Sequence, residues 1–227
     1  MPESDDLHHP WGVGPREARA IQERLRERVV TRDRLAGTER LAGVDVGFEE
    51  AGAVTRAAVV VLDSDTLEVV ERSLVRRPTA FPYVPGLLSF REIPAILAAL
   101  DGLTTPPQVL LCDGQGIAHP RRFGLAAHLG VLTDLPAVGV AKKRLVGSHG
   151  PVPQERGGWC SLEDDGQVIG AVLRTRQGVK PVYVSIGHRV SLETAVALVM
   201  SCTTRFRLPE TTRAAHRLAS VEKEGRS

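Results

Sequence analysis

The sequence predicts an α/β fold, a single domain on one mixed sheet flanked by helices, and three observations carry that prediction. Val109 to Cys112 is an apolar run too short for a helix and without polar alternation, so it reads as a strand buried on both faces, with parallel character. Leu41 to Val46, Ala57 to Leu62 and Val69 to Val75 are consecutive strand-like runs. Asp63 to Thr66 supplies a turn between the second and third, so the domain opens with hairpin-linked strands. Apolar residues at helical spacing recur before and after these runs.

In chain order, residues 1–12 are read as a disordered leader, 13–220 as the domain and 221–227 as a flexible tail. Pro15 suits the first turn of a helix with Ala18, Ile21, Leu25 and Val29 on one stripe, expected to pack on the outside of the sheet. The three strands follow, with the chain turning after Gly47. Next comes a proline-rich surface loop, Arg77 to Gly86, leading to a helical stretch interrupted by Pro94, with Glu92 beside the interruption. Beyond the Val109 strand, Arg122 to Leu132 reads as a helix and Ala137 to Val140, Val168 to Leu173 and Val182 to Ile186 as strands. Ser191 caps a helix that places Ala195, Leu198, Val199 and Cys202 on one face, and a last helix begins near Pro209 and carries His216.

Composition sets the bounds. A chain of 227 residues, 42% hydrophobic and 25% charged, buries one sizeable core. The net charge of +2 gives no global field for nucleic acid. Arg121, Arg122, Lys142, Lys143 and Arg144 nevertheless lie between Gly114 and Gly150 with Asp134 as the only acid, which predicts a local basic surface. Cys112, Cys160 and Cys202 follow no CxxC spacing and argue against a disulfide framework or a zinc site. The acidic, polar start is unlike a signal peptide, and no apolar run approaches the roughly 20 residues of a membrane span. A cytoplasmic, monomeric protein with no membrane partner is the expectation.

The chemistry is carried by strand-end carboxylates. Asp113 leaves the Val109 strand into a turn containing Gly114 and Gly116, where backbone can approach a phosphate without a Cβ in the way. That segment alone is equally compatible with an inert Asp-Gly turn. Asp45 shifts the balance, because an aspartate inside an apolar strand is costly unless it meets a cation or a donor. Two such aspartates, Glu92 and a late histidine suit a hard divalent cation that takes few protein carboxylates plus substrate phosphate. Such a centre activates water for phosphoryl chemistry, and Lys142 is placed to neutralise phosphate charge or orient the water. Glu49 and Glu50 fall past the strand end and are assigned no role.

These residues lie in segments that resemble the endonuclease V family of DNA repair. The resemblance runs from about Pro15 to Ala219. Its carriers are Gly43-Val44-Asp45-Val46-Gly47-Phe48, the run from Pro82 to Glu92, Asp113-Gly114-Gln115-Gly116-Ile117-Ala118-His119-Pro120-Arg121, Gly139-Val140-Ala141-Lys142-Lys143, Pro181 to His188, and Pro209-Glu210-Thr211-Thr212-Arg213. It implies an RNase H-like fold and a Mg²⁺ site, with Mn²⁺ able to substitute, ligated by Asp45 and Asp113. It also implies Glu92 as a further catalytic carboxylate, Lys142 as the catalytic lysine and His216 at a position occupied by His or Asp. The implied substrate is DNA containing a deaminated base, chiefly deoxyinosine, cut at the second phosphodiester on its 3′ side to leave 3′-hydroxyl and 5′-phosphate; inosine-containing RNA is left open. Tyr83 would be a wedge in the base stack, with Gly86, Gly114, Gln115, Gly116 and His119 as substrate contacts.

Two other classes fit parts of the sequence: a different RNase H-like nuclease that reads nucleic-acid shape, and a silent binding module. The intact set Asp45, Glu92, Asp113 and Lys142 argues against silence, since a mere binder gains nothing from carboxylates near phosphates. His8 and His9 are read as part of the leader and His128 as solvated or satisfied in the core. His188, following a strand, is a candidate phosphate contact, and Trp11 and Trp159 show nothing that suggests base stacking.

Overall fold

A computed structural model describes residue 7 and residues 9–220. Eight strands form one sheet: β1 (Arg40–Glu49), β2 (Val54–Asp63), β3 (Val69–Pro78), β4 (Val109–Cys112), β5 (Ala137–Ala141), β6 (Trp159–Asp164), β7 (Gln167–Leu173) and β8 (Val182–His188). Their order is β3-β2-β1-β4-β5-β8-β7-β6. The opening hairpins are antiparallel, β4 and β5 add to β1 in parallel, and the remaining pairs are antiparallel. The mixed sheet is therefore as expected, with its parallel part at the centre where both faces are covered.

Five helices flank it: α1 (Pro15–Leu25), α2 (Leu88–Asp101), α3 (Leu125–Thr133), α4 (Leu192–Ser201) and α5 (Glu210–Ser220). Strand alternation sorts their partners. Ala42, Val44, Leu110 and Cys112 pack with Ile93 and Ile96 of α2 and with Leu129 of α3. Leu41 and Leu111 belong to the opposite face, with Val199 of α4, and Val60 and Leu62 of that face meet Ala214 and Ala215 of α5. Helix α1 packs on Phe90, Phe123 and Ala127, forming an outer layer over α2 and α3 rather than lying on the sheet as expected. Its α-helix ends at Leu25 and a short 3-10 turn follows, so Val29 falls outside it.

Several boundaries differ from expectation for identifiable reasons. Strand β1 runs on through Gly47 to Glu49, because β2 pairs with it along its whole length. Pro94 does not interrupt α2; the helix forgoes one main-chain hydrogen bond and continues because Phe90, Ile93, Ile96 and Ala99 are all buried. Arg121 and Arg122 precede α3, whose N-cap is Gly124. Strand β6 was not anticipated, since its side chains are mostly half-exposed. Its hairpin to β7 does carry a sequence signal: Asp165 and Gly166 form a two-residue turn with φ of 51° and 72°.

The expected leader contains packed residues. The Trp11 ring stacks against His128 and meets Phe90 edge-on, and His9 Nε2 lies 2.8 Å from His128 Nε2, so His9 is held by the core edge rather than by solvent. His128 is satisfied in the core, with Nδ1 3.0 Å from Ser89 Oγ. His8 and the 221–227 tail lie outside the described residues.

One glycine positions α5. A Cβ on Gly43 would sit 1.9 Å from the Thr211 carbonyl oxygen, so only glycine lets the start of α5 lie directly on β1. Gly43→Ala is expected to destabilise the fold by about 1–3 kcal/mol as overpacking, a drop in Tm of roughly 2–12 °C for a domain of this size. Thermal unfolding checks this; a Tm within about 1 °C of the parent would show that the helix accommodates the methyl group without cost.

Candidate active site

Strand register creates the centre. Val44 pairs with Cys112 across β1 and β4, so Asp113 leaves the end of β4 beside Asp45, which lies not at a strand end as expected but within the longer β1, just past the last parallel pair. The Asp113 amide donates to the Val44 carbonyl at 3.0 Å, fixing that alignment. Both side chains alternate to the α5 face. There His216 Nδ1 lies 2.7 Å from Asp45 Oδ2, and one ligand atom from each of Asp45, Asp113 and His216 falls within 4.8 Å of the others.

Electrostatics give this trio an unmet need for positive charge. Burial and then the neighbouring Asp113 raise the Asp45 carboxyl above its ordinary range, against the pull of His216. Glu92 comes from α2, on the other face of the sheet. Burial, Asp45 and Asp113 push it up to about 8. Three acids whose ionised forms oppose one another are what a divalent cation relieves, and two carboxylates beside an imidazole are donors such an ion can use. Glu92 is not among the three ligand-distance residues, so the geometry places it beside the cluster.

Lys142 follows β5, the next parallel strand, and its Nζ reaches Asp113 Oδ2 at 2.5 Å. The Arg207 guanidinium donates to the Lys142 carbonyl at 2.8 Å and holds that backbone in place. Sequence reasoning thus identified five residues, Asp45, Glu92, Asp113, Lys142 and His216, that the fold brings to one end of the sheet.

Beside this centre lies a cavity of about 390 Å³, walled by the Tyr83 to Ser89 segment on one side and the Gly114–Gln115 turn and Leu145 on the other. Tyr83 is 71% exposed at its rim, between Pro82 and Pro85. Gly86 has φ of 76°, a left-handed conformation that favours glycine. Its carbonyl accepts from Gln22 Nε2 at 3.1 Å and Arg121 Nη2 at 2.6 Å. His119 lines the same cavity and is buried; burial, then Arg121, lowers it to about 4, so it is a neutral imidazole at pH 7. The Arg121 amide donates to its Nδ1 at 3.3 Å.

Three expectations are corrected here. Gly116 does not line the cavity; a Cβ there would meet the Ile186 carbonyl at 1.9 Å, and its amide donates to Ser185 Oγ at 2.8 Å, so its smallness serves close packing on β8. Of the predicted basic surface, Arg121 is spent on Gly86 and on Gln22 Oε1 at 2.6 Å, and Arg122 pairs with Asp164 at 2.8 Å. His188 lies at the far end of the sheet, since β8 runs antiparallel to β5, and it accepts from the Val30 amide instead of facing phosphate. Glu49, outside the site, pairs with Arg56 and Arg76.

Gln22 was missed. It is 1% exposed and joins α1 to both cavity walls, donating also to the Phe123 carbonyl at 3.2 Å. Its signal was a glutamine in line with the Ala18, Ile21 and Leu25 stripe, where an apolar residue is expected.

Comparison with known proteins agrees with this geometry. The sequence model of Endonuclease V matches residues 23–217. The Endonuclease V of Trichormus variabilis is 57% identical over 213 residues, covering 93% of this chain and 96% of that protein. The crystal structure of Endonuclease V from Streptomyces avermitilis is 50% identical with a TM-score of 0.88, covering 92% of each chain. Endonuclease V from Ciona intestinalis, solved with a 24mer DNA containing an inosine followed by a ribo-adenosine, is 28% identical with a TM-score of 0.79, covering 90% of this chain and 95% of that one. The chain belongs to the Endonuclease V family.

Proposed function

We propose that this repair nuclease nicks DNA at a deaminated base, chiefly deoxyinosine, cutting the second phosphodiester on the 3′ side to leave 3′-hydroxyl and 5′-phosphate. The observation that carries the reading is the pairing of the Asp45, Asp113 and His216 cluster with an adjacent 390 Å³ cavity rimmed by Tyr83. One part suits a scissile phosphate and the other an extruded base. Asp45 and Asp113 would hold Mg²⁺, with Mn²⁺ substituting, and His216 completes the donor set on the α5 side. When bound, the ion supplies activated water and stabilises charge on the phosphate. Glu92 holds or releases a proton at the edge of that cluster, and Lys142 faces the developing phosphate charge. Gly86, Gly114, Gln115 and His119 form the cavity wall against which a flipped base sits.

The same reading takes the enzyme as a cytoplasmic monomer. Cys112, Cys160 and Cys202 are free thiols, which fits a reducing compartment. Among the described residues no helix is long and apolar enough to cross a membrane. The test is incubation with Mg²⁺ and end-labelled duplexes that differ in a single inosine. A cut confined to the inosine strand at the stated bond is expected, and cleavage that ignores the inosine or follows RNA:DNA pairing would assign a different nuclease. The same assay with inosine in RNA measures whether ribose is accepted.

The wedge has its own test. An inosine pair is weaker than a normal pair, so flipping costs less, and the Tyr83 ring then fills the vacated stack. Stacking is worth about 1–3 kcal/mol per base, so Tyr83→Ala is expected to weaken duplex binding roughly 5- to 150-fold. Single-stranded inosine should lose less, and Tyr83→Phe should bind like the parent. Binding is measured on both substrates at one salt concentration; equal losses on the two would make Tyr83 a general contact.

A further inference from the structure

A second, larger cleft of about 550 Å³ adjoins the base cavity, sharing Lys143 and Arg144 with it and adding Lys142. Lys142, Lys143, Arg144, Lys180, Tyr183 and Arg207 are among its walls, and no carboxylate lines it. Two kinds of cation meet there. Arg207 braces the floor, donating to the carbonyls of Lys142 and Pro181 at 2.8 and 2.7 Å. Lys143, Arg144 and Lys180 are exposed, and none forms an ion pair with a described carboxylate. Elsewhere in the chain Arg56, Arg122, Arg189 and Arg213 each pair with an acid. Three exposed cations without an acidic partner thus line one concave site that also includes Lys142 of the reaction centre.

Position decides which anion this is. The cleft is continuous with Lys142, hence with the scissile phosphate. On the proposed reading, the nucleotide that occupies the Tyr83 cavity lies 5′ of that phosphate, so the strand reaches the centre from that side. Its continuation then enters the adjoining cleft across the shared Lys143–Arg144 segment. We propose that this cleft holds the sugar-phosphate backbone on the 3′ side of the scissile bond, with Lys180 and Lys143 contacting phosphates and the Tyr183 side of the cleft lying along the strand. The inference rests on the deaminated-base reading above.

The experiment varies strand length on one side only. Single-stranded inosine oligonucleotides share a 5′ arm and end either just past the scissile bond or about eight nucleotides further, a span within the usual range for single-strand grooves. Binding is measured in chelator at several salt concentrations, and cleavage with Mg²⁺. The parent protein should bind the long strand more tightly and with a steeper salt dependence. Lys180→Ala, a change at an exposed residue, should lower the long-strand slope by about 0.7 and its affinity roughly two- to fivefold. It should leave the short strand unchanged.

Equal losses on both lengths would place Lys180 at the scissile phosphate or the base, and overturn the proposal. So would no loss on either, or a loss seen only after a complementary strand is annealed. Inosine-dependent cleavage by the parent without any benefit from the 3′ extension removes the cleft assignment alone. Cleavage independent of inosine removes the reading beneath it.

Discussion

Asp45→Ala is expected to abolish Mg²⁺-dependent nicking while leaving binding to inosine DNA intact or tighter, and Asp113→Ala is expected to do the same. The two carboxylates lie side by side where β1 and β4 stop pairing, and with His216 they bring ligand atoms within 4.8 Å of one another. A hard cation that keeps most of its waters takes only one or two protein carboxylates, so removing either withdraws half of the charge that holds it. The loss of activated water and of charge on the scissile phosphate stops chemistry. Binding follows the opposite sign, because each ionised carboxylate repels the phosphate it serves until a cation intervenes. Asp45→Ala is the cleaner variant, since Asp113→Ala also frees Lys142 from its 2.5 Å ion pair. The measurement pairs single-turnover cleavage with equilibrium binding in chelator. Undiminished Mg²⁺-dependent cleavage by Asp45→Ala would move the metal centre elsewhere.

This centre was legible in the sequence because it rests on strands. One apolar run, Leu41 to Val46, carries an aspartate within it and the other, Val109 to Cys112, is followed by one, and the two runs became neighbouring parallel strands. What stayed hidden depended on partners distant in the chain. Gln22 stands out in the apolar stripe of its helix, but what it serves is not visible until Gly86 and Arg121 are seen to meet it. Gly116 and Gly114 look alike in the turn, yet one abuts β8 and the other faces the cavity. Arg122 looked available for an anion, and Asp164, on the hairpin strand that sequence did not reveal, neutralises it. Pro94 misled for a related reason, since burial on α2 outweighs a local hydrogen-bond loss.

Lys142→Ala is expected to lower single-turnover rate by about 10²- to 10³-fold, the loss typical of a preorganised charge removed from the transition state. Affinity for inosine DNA should change little. The difference follows from geometry. Lys142 sits at the end of β5, one strand from Asp113, with its backbone clamped by Arg207, so its amine reaches the centre without reorganising. A cation held there gains most when charge accumulates on the phosphate oxygens, which happens only as the bond breaks. The salt dependence of binding separates this from an ordinary contact, because a lysine that merely neutralises a bound phosphate lowers the slope by about 0.7–0.9 when removed. A Lys142→Ala variant with parental single-turnover rate and a reduced salt slope would group Lys142 with Lys143 and Lys180 along the strand path. Chemistry would then rest on the carboxylates and the metal alone. A variant with the slope intact and the rate lost keeps Lys142 at the reacting phosphate, the role proposed for it beside Asp113.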